Sequence, residues 1–454
     1  MVLQQPRLPG FLLPRRSNLS NTDTEWHGDV FAQDKAIAST RLLVNNIRGL
    51  QLTGPRGIDM ALYDQSSLTA DIFAISEHCL DTSKLQIQQS LQKTLQREFP
   101  GKAILQFNSS ANPSINNYKP GGTGMIALGD IVGRLEPKGR GGDPIGRWSF
   151  LTFRRKNLPP LTIYSVYQVC QNPTNKLGNT AYHQQRRALD QAGRSDVHPR
   201  TAFIHDLIST VQDNQRQQHD VMICGDFNED LDARRSGILR LATTLQLVDP
   251  WLHKFPHHVA FGTHDQGTRR IDSILISPRL LPSVQNIGYA PFQHATDSDH
   301  RALFVDFHTT TLFGDSIDLI PPVSFRGVKT NDKRAVTSFC ETMHSYLASH
   351  DAFSILQAEH PTPDQVETID ALIGQAGAIA DSSCKARRPE FYSRILVKQR
   401  STIGILRSHL SSLKQNKDRS SAIHARIKRQ TLNISLPPTI AETVAALRIA
   451  KTEL

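Results

Sequence analysis

The stretch Val221–Asp230, "VMICGDFNED", sets the terms on which the rest of the chain is read. Four apolar residues, Val221 to Cys224, stop at Gly225, and Asp226, Phe227, Asn228, Glu229 and Asp230 follow at once. A short apolar run closed by a glycine reads as a buried strand. Side chains two apart on an extended segment share a face. Asp226 and Asn228 are therefore expected to point the same way at a strand's C-terminal end, where α/β folds keep their chemistry.

Working outward, residues from Arg41 to His308 repeat this texture. Strand candidates are "RLLVNNI", "DIFAISEH", "AILQFN", "GMIALGD", "RWSFLTF", "LTIYSVYQV", "DVMICGDFN", "RRIDSILIS" and "ALFVDFH". Several alternate apolar and polar residues and are rich in β-branched and aromatic types. The spacing of apolar residues predicts helices over Leu85–Glu98, His198–Gln217 and Gly237–Leu245. The glycine-rich "KPGGTG" and "PKGRGGDPIGR" read as turns or loops. Strands joined by short turns favour mixed or antiparallel sheets. The expected division is a poorly ordered leader over 1–39, a strand-rich unit over 40–310, a linker over 311–330 and a basic, helical region over 331–454. In that last region Ile403, Leu406, Leu410 and Leu413 draw one stripe, a packing face too short for a coiled coil.

The chain has 454 residues, 38% of them hydrophobic, enough for more than one core. It has no apolar run approaching the ~18–20 residues that span a bilayer, and Pro9 and Pro14 break the apolar patch at Phe11–Leu13, against a signal peptide. Cys79, Cys170, Cys224, Cys340 and Cys384 lie far apart, which gives neither a thiolate zinc site nor a disulfide framework and favours a reducing, intracellular compartment. Net charge is +10, and 13 Lys/Arg against Glu390 and Asp418 between Ser383 and Gln430 leave about −1 for the remainder. A basic segment beside a neutral globule suggests a polyanion partner, with a solvated helical face as the plain alternative.

Polar residues stand against other strand ends too. Asn45 and Asn46 close "LLVNN", Glu77 closes "DIFAISE", Tyr167 sits in "IYSVY", Asp272 follows Arg269 and Arg270, and Asp299 and His300 precede "RALFVDF". A buried carboxylate is costly unless paired, metal-bound or hydrogen-bonded, so Glu77, Asp226 and Asp272 each need a partner, and one divalent cation with one histidine would serve all three. Tyr164 reads as core. His257, His258 and His294 read as surface, Asp297 and Asp306 as solvated positions or a loop cap, and His78 as pointing to the opposite face from Glu77.

The order of "NNIRGL", "ISEH", "SVY", "GDFN", "RRID" and "SDH" resembles that of the endonuclease/exonuclease/phosphatase superfamily of Mg-dependent phosphoesterases, and within it the endonuclease domains of non-LTR retrotransposons. The resemblance covers Arg41 to His308 and implies an α/β (α+β) fold: a two-layer β sandwich flanked by helices, with the polar residues converging at one edge. It implies Glu77 as ligand of Mg²⁺ (or Mn²⁺), with Asn46 and Asp299 assisting, and Asp226 as the group that orients or deprotonates water. Asn228 and Tyr167 would hydrogen-bond phosphate oxygens, and Asp272 would hold a charged His300. The chain departs from the pattern at Arg48, where DNA-repair relatives carry an acid, at Ser273 in place of an aromatic, and at "VYQV" in place of "VYAP". Arg48 fits a one-metal site better than a two-metal one.

Substrates in this superfamily range from nucleic acids to lipids, so fold does not settle substrate. Arg269 and Arg270, and Arg154, Arg155 and Lys156 at another strand's end, favour a DNA backbone, and the basic C-terminal segment adds RNA as a partner; no membrane is expected. The expected function is Mg-dependent DNA nicking by the endonuclease part of a retroelement polyprotein cut short before its polymerase, at work in the nucleus. The alternatives are a phosphatase or phosphodiesterase acting on small or lipid substrates, and a decayed protein that binds nucleic acid without cutting it.

Overall fold

Strand β2 (Ser39–Asn46) shows how the layers arise. Successive side chains on a strand point to opposite faces. Leu42 and Val44 join one apolar cluster with Met222, Cys224 and Ile274, while Leu43 joins another with Ile87, Leu91 and Leu95. Both faces of the strand are covered, and all eight of its residues are buried. The computed structural model describes residues 25–31, 35–36, 38–51, 57–99, 103–110, 118–170, 178–231, 233, 236–315, 332–357, 362–383 and 394–453.

The other strands are β1 (His27–Gly28), β3 (Ile72–Ser76), β4 (Ala103–Asn108), β5 (Thr123–Leu128), β6 (Leu135–Gly142), β7 (Trp148–Phe153), β8 (Leu161–Tyr167), β9 (Asp220–Asp226), β10 (Asp272–Ile276), β11 (Val284–Tyr289) and β12 (Leu303–His308). They form a sheet in the order β1-β11-β12-β2-β3-β5-β4 and a second in the order β10-β9-β8-β7-β6. Each sheet contains one parallel pair, β2 with β3 and β8 with β9, and the remaining pairs are antiparallel. A parallel pair needs a crossover. Helix α1 (Ile58–Ser67) supplies the first, and α3 (Ala181–Gln191) and α4 (Pro199–Arg216) the second. Helix α2 (Leu85–Glu98) lays Ile87, Leu91 and Leu95 on the first sheet, and α4 with α5 (Gly237–Leu245) lays Phe203, Leu207, Ile238 and Leu241 on the second. The result is a β sandwich between two helical layers. Helix α4 starts with Pro199 at its first turn, and the Ser236 hydroxyl caps α5 by accepting from Leu239 N. Short helices α6 (Pro250–Lys254) and α7 (Thr309–Phe313) close the sandwich.

Three sequence expectations differ from this fold. "PKGRGGDPIGR" supplies most of strand β6: a Cβ at Gly139 would lie 2.7 Å from Thr152 O and one at Gly142 2.8 Å from Trp148 O. Those glycines mark close backbone approach within a sheet. His27 and Gly28, assigned to a leader, form edge strand β1 on β11, and Asp29 N just after it donates to Ile287 O. Asp306, expected to be solvated, is buried in a two-point ion pair with Arg41 at 2.6 and 2.9 Å. Most of the expected leader and linker lies outside the described residues.

The C-terminal region is helical: α8 (Lys333–Ser349), α9 (Ala352–Leu356), α10 (Pro363–Ser383), α11 (Arg394–Gln415), α12 (Ser420–Arg429) and α13 (Ile440–Thr452). Ile403 and Leu406 of the stripe pack on Leu447 and Ala450 of α13, while Ile405 packs on Ile423 and Ile427 of α12. No described helix is long and apolar enough to cross a membrane. The basic segment turns many of its cations inward. Arg400 meets Asp59 at 2.6 Å, Arg419 meets Asp265 at 3.0 Å, and Arg426 meets Asp64 at 3.4 Å. Carboxylates of the sandwich thus take charges that the sequence suggested for a polyanion.

Candidate active site

Strand direction brings the polar residues together. Strands β2, β3, β8 and β9 end, and β10 and β12 begin, at one edge of the sandwich, because Asp226 registers with both Tyr167 and Asp272, and Asn46 with Ser76. The two sheets are joined there by hydroxyls. Ser76 Oγ donates to Val166 O at 2.8 Å and accepts from Asp226 N at 3.3 Å, and Ser165 Oγ donates to Ile75 O at 2.9 Å.

Asn46 Nδ2 donates to Asp226 Oδ2 at 2.9 Å and to Glu77 Oε2 at 3.1 Å, tying two carboxylates from opposite sheets. Glu77 follows β3 with φ 54°. Its amide and that of Cys79 donate to Gly122 O and Gly121 O, so the "KPGGTG" loop fixes this turn. Asn228 reaches Asp226 by a different route from the expected strand alternation. Its φ is 49°, and its backbone N donates to Asp226 Oδ1 at 2.8 Å, an Asx-type turn. Its Nδ2 donates to Gln168 O at 2.7 Å and to Asp226 Oδ2 at 3.2 Å. Left-handed residues other than glycine cost energy and gather at functional sites; Arg48, Glu77 and Asn228 are three of them within one edge.

His300 Nδ1 lies 2.9 Å from Asp272 Oδ2, and Asp272 is held in turn by Thr263 Oγ1 on its amide and Tyr289 OH on its carbonyl. Burial works against charge on His300, but the Asp272, Asp226 and Asp299 carboxylates outweigh it and raise the imidazole pKa to about 10. Burial, then Asp272 and Glu77, push Asp226 up to about 7 against the opposing effects of His300 and Asn46. Tyr167 is pushed well above its ordinary value by burial and by Glu77, Cys170 and Asp226, so its hydroxyl stays a donor.

The donor set suits a divalent cation. Ligand atoms of Asp226, Asp272 and His300 lie within 4.8 Å of one another, as do those of His264, Asp299 and His300. Asp272 Oδ1 is buried without a hydrogen-bond partner among the described residues. Glu77, Asp226 and the Asn46 carbonyl oxygen add hard oxygen donors, the kind that Mg²⁺-class ions take.

Other expected residues fall elsewhere. Arg270 is not a substrate contact: it is buried, pairs with Asp249 at 2.6 Å, reaches Tyr289 OH at 3.3 Å and lies over the Trp251 ring. Asp249 and Trp251 at α6 and Tyr289 of β11 cover it, whereas Arg269 is exposed. Arg154, Arg155 and Lys156 follow β7 where β8 begins, six residue rows from Tyr167, about 20 Å at strand rise. Arg155 pairs with Asp220 there. Asp299 meets Arg48 Nη1 at 3.1 Å and lies 3.8 Å from His264 Nε2. His294 is packed against Trp26 rather than lying at the surface, and His258 against Trp251. Asp297 accepts from Ser408 of α11 at 2.6 Å. His78 is buried, stacked on Phe107 and hydrogen-bonded to Asn108 O. Tyr164 is buried, with Asn214 on its hydroxyl.

Residues that the sequence reading passed over are Ser76, Gln168, Thr263, His264 and Ser298. Ser298 Oγ donates to Asn46 O and accepts from His300 N, linking β2 to the segment that carries the histidine. Its place in "ATDSDH" was the available signal. Ser76 precedes Glu77 on the face that meets the second sheet, which only packing reveals.

No protein-family model and no curated protein matches the chain. Among solved structures it is similar to the AP endonuclease LMAP from Leishmania major, at 12% identity and TM-score 0.44, covering 62% of this chain and 93% of that one. It is also similar to the endonuclease domain of TRAS1, a telomere-specific non-LTR retrotransposon (13% identity, TM-score 0.37, 60% and 99%). A third likeness is to an endonuclease/exonuclease/phosphatase family protein from Leptotrichia buccalis (15%, 0.37, 59% and 99%).

Proposed function

We propose that the chain is a divalent-metal-dependent phosphodiester hydrolase, and within that class a DNA-nicking endonuclease of the non-LTR retrotransposon type. The observation that carries this reading is the row Tyr167–Asp226–Asp272 with His300 bonded to Asp272 and Asn46 bridging Asp226 to Glu77. It sets a carboxylate base and a charged imidazole on one edge, the pair that hydrolysis of a phosphodiester needs.

In this mechanism Asp226, poised near neutral pH, takes a proton from the attacking water, whose oxygen bonds to phosphorus as the P–O3′ bond breaks. The departing O3′ takes up a proton from solvent water and Asp226 returns its own to solvent, so the products are a 3′-hydroxyl and a 5′-phosphate. Imidazolium His300, its Nδ1 proton held by Asp272, offers Nε2–H to the phosphorane oxygens. Asn228 exchanges its longer bond to Asp226 for a phosphate oxygen, and Tyr167 donates to another. Held by Glu77 and Asn46, with Asp299 assisting through water, Mg²⁺ or Mn²⁺ would supply Lewis-acid polarisation of the phosphate. Exposed Arg269 faces the strand backbone. The retrotransposon-type assignment is supported by the motif order from "NNIRGL" to "SDH".

The test is conversion of supercoiled plasmid to open circles with Mg²⁺, Mn²⁺ or EDTA. Nicking is expected with metal alone and is expected to fall by at least about 10²-fold in Asp226→Ala and His300→Ala. Nicking that survives EDTA or both substitutions would reject the mechanism. Salt-sensitive DNA binding without cleavage would point to a decayed enzyme, and neither binding nor cleavage to phosphorylated small molecules.

A further inference from the structure

His300 does not sit within a regular strand; β12 begins three residues later. Its backbone is carried by a short ladder with residues 263–265. His264 bridges His300, Arg301 N donates to Thr263 O at 2.8 Å, and Asp265 N donates to Asp299 O at 2.9 Å. Such an isolated ladder lies outside both sheets and needs support from elsewhere.

The support comes from the far end of the chain. Arg419, whose side chain is 1% exposed, donates Nη2 to Asp265 Oδ2 at 3.0 Å, and Lys417 Nζ donates to Asp265 O. Ser408 of α11 donates to Asp297 Oδ1 at 2.6 Å. Arg429 of α12 donates to His294 O at 2.8 Å and to Ala295 O at 3.2 Å. Arg419 also lies 5.5 Å over the Phe292 ring, which Arg301 covers at 4.2 Å. Both segments that carry the histidine are therefore gripped by one helical region. The Arg419–Asp265 pair is buried, where removing one partner strands a charge, unlike exposed pairs that are worth little; the Lys417, Ser408 and Arg429 bonds are part-buried.

We infer that α11 and α12 act as a positioning brace for the His300 ladder, with Arg419 as its central positioning residue. Arg419 touches no reacting atom; it acts through Asp265 and the amide that Asp265 donates to Asp299. The inference rests on the proposed role of His300. It gives the C-terminal basic residues a task within this site in place of polyanion binding.

The test uses the full chain, with plasmid nicking in Mg²⁺ and amide hydrogen exchange. Arg419→Ala is expected to lower kcat by about 10–10²-fold with KM within about threefold, as misplacement of a catalytic group does. Arg419→Lys, which keeps a charge on Asp265, is expected to recover part of the loss. The amides of Asp265 and Arg301 are expected to exchange at least about tenfold faster in Arg419→Ala, while those of β9 keep their protection. A kcat within twofold of the parent with unchanged exchange at both amides would overturn the brace. If Arg419→Ala does not fold, Ser408→Ala and Lys417→Met each remove one grip, and unchanged kcat and exchange in both would overturn it equally. A parent chain that never nicks plasmid rejects the proposed function alone, because the exchange measurement needs no activity.

Discussion

At the scale of single residues, the Asp272–His300 pair makes the clearest commitment. A carboxylate beside a buried imidazole raises its pKa, so His300 stays charged until pH passes about 10. Asp226 is the opposite case, an acid raised to about 7, whose base form fills as pH rises through that value. The pH profile of kcat/KM is therefore expected to be a bell, with its alkaline limb near 10 and its acid limb at or below 7, since a bound cation favours the carboxylate. In Asp272→Asn the strongest attraction is lost while those of Asp226 and Asp299 remain, so burial gains weight and the alkaline limb is expected to move down from about 10. An alkaline limb unmoved in that variant would reject the pairing. Arg270 commits to a structural role. Arg270→Met is expected to leave the salt dependence of DNA binding unchanged and to destabilise the fold by about 3–5 kcal/mol, because it strands Asp249. Urea unfolding and binding across a salt series separate those effects.

At the scale of elements, the decisive feature is how β9 ends. Gly225 has φ 144°, and a Cβ there would lie 2.1 Å from Val166 O on the parallel partner β8. No side chain fits without parting the two strands that set Asp226 beside Tyr167. Gly225→Ala is expected to lower nicking by at least about tenfold while the chain still folds, read by circular dichroism beside the plasmid assay. Full activity in that variant would show that the register is not needed. Ser76 does related work between the sheets: its hydroxyl holds both Val166 O and Asp226 N. The expected helices over Leu85–Glu98, His198–Gln217 and Gly237–Leu245 agree with α2, α4 and α5 to within a residue, because each carries a one-sided apolar stripe. Strand β6 was hidden in a glycine-rich segment, where composition signals a turn and sheet packing decides otherwise.

At the scale of the whole molecule, the helical region and the sandwich are joined through buried charge. Asp64 takes Gln430 Nε2 at 2.7 Å and Arg426 at 3.4 Å, with Arg429 at 4.0 Å. Burial still pushes its carboxyl up and brings Arg429 down to about 10, so the cluster gains little over an apolar contact, yet losing one member is costly. Asp64→Ala is expected to cost about 3–5 kcal/mol and to open α12 to proteolysis, measured by urea unfolding and limited digestion. A protected α12 would argue against this joint. By itself the sequence determined the strand periodicity, the layered α/β class and the residues at the strand ends from Asn46 to His300, because period-two burial and carboxylates set against apolar runs are local signals. Only the tertiary structure decided that Arg270 lies inside, that Arg154 to Lys156 stand at the opposite edge, and that the C-terminal arginines meet Asp59, Asp64 and Asp265. The physical reason is that a cation's partner is chosen by strand register and helix docking over hundreds of residues, which charge and spacing along the chain do not encode.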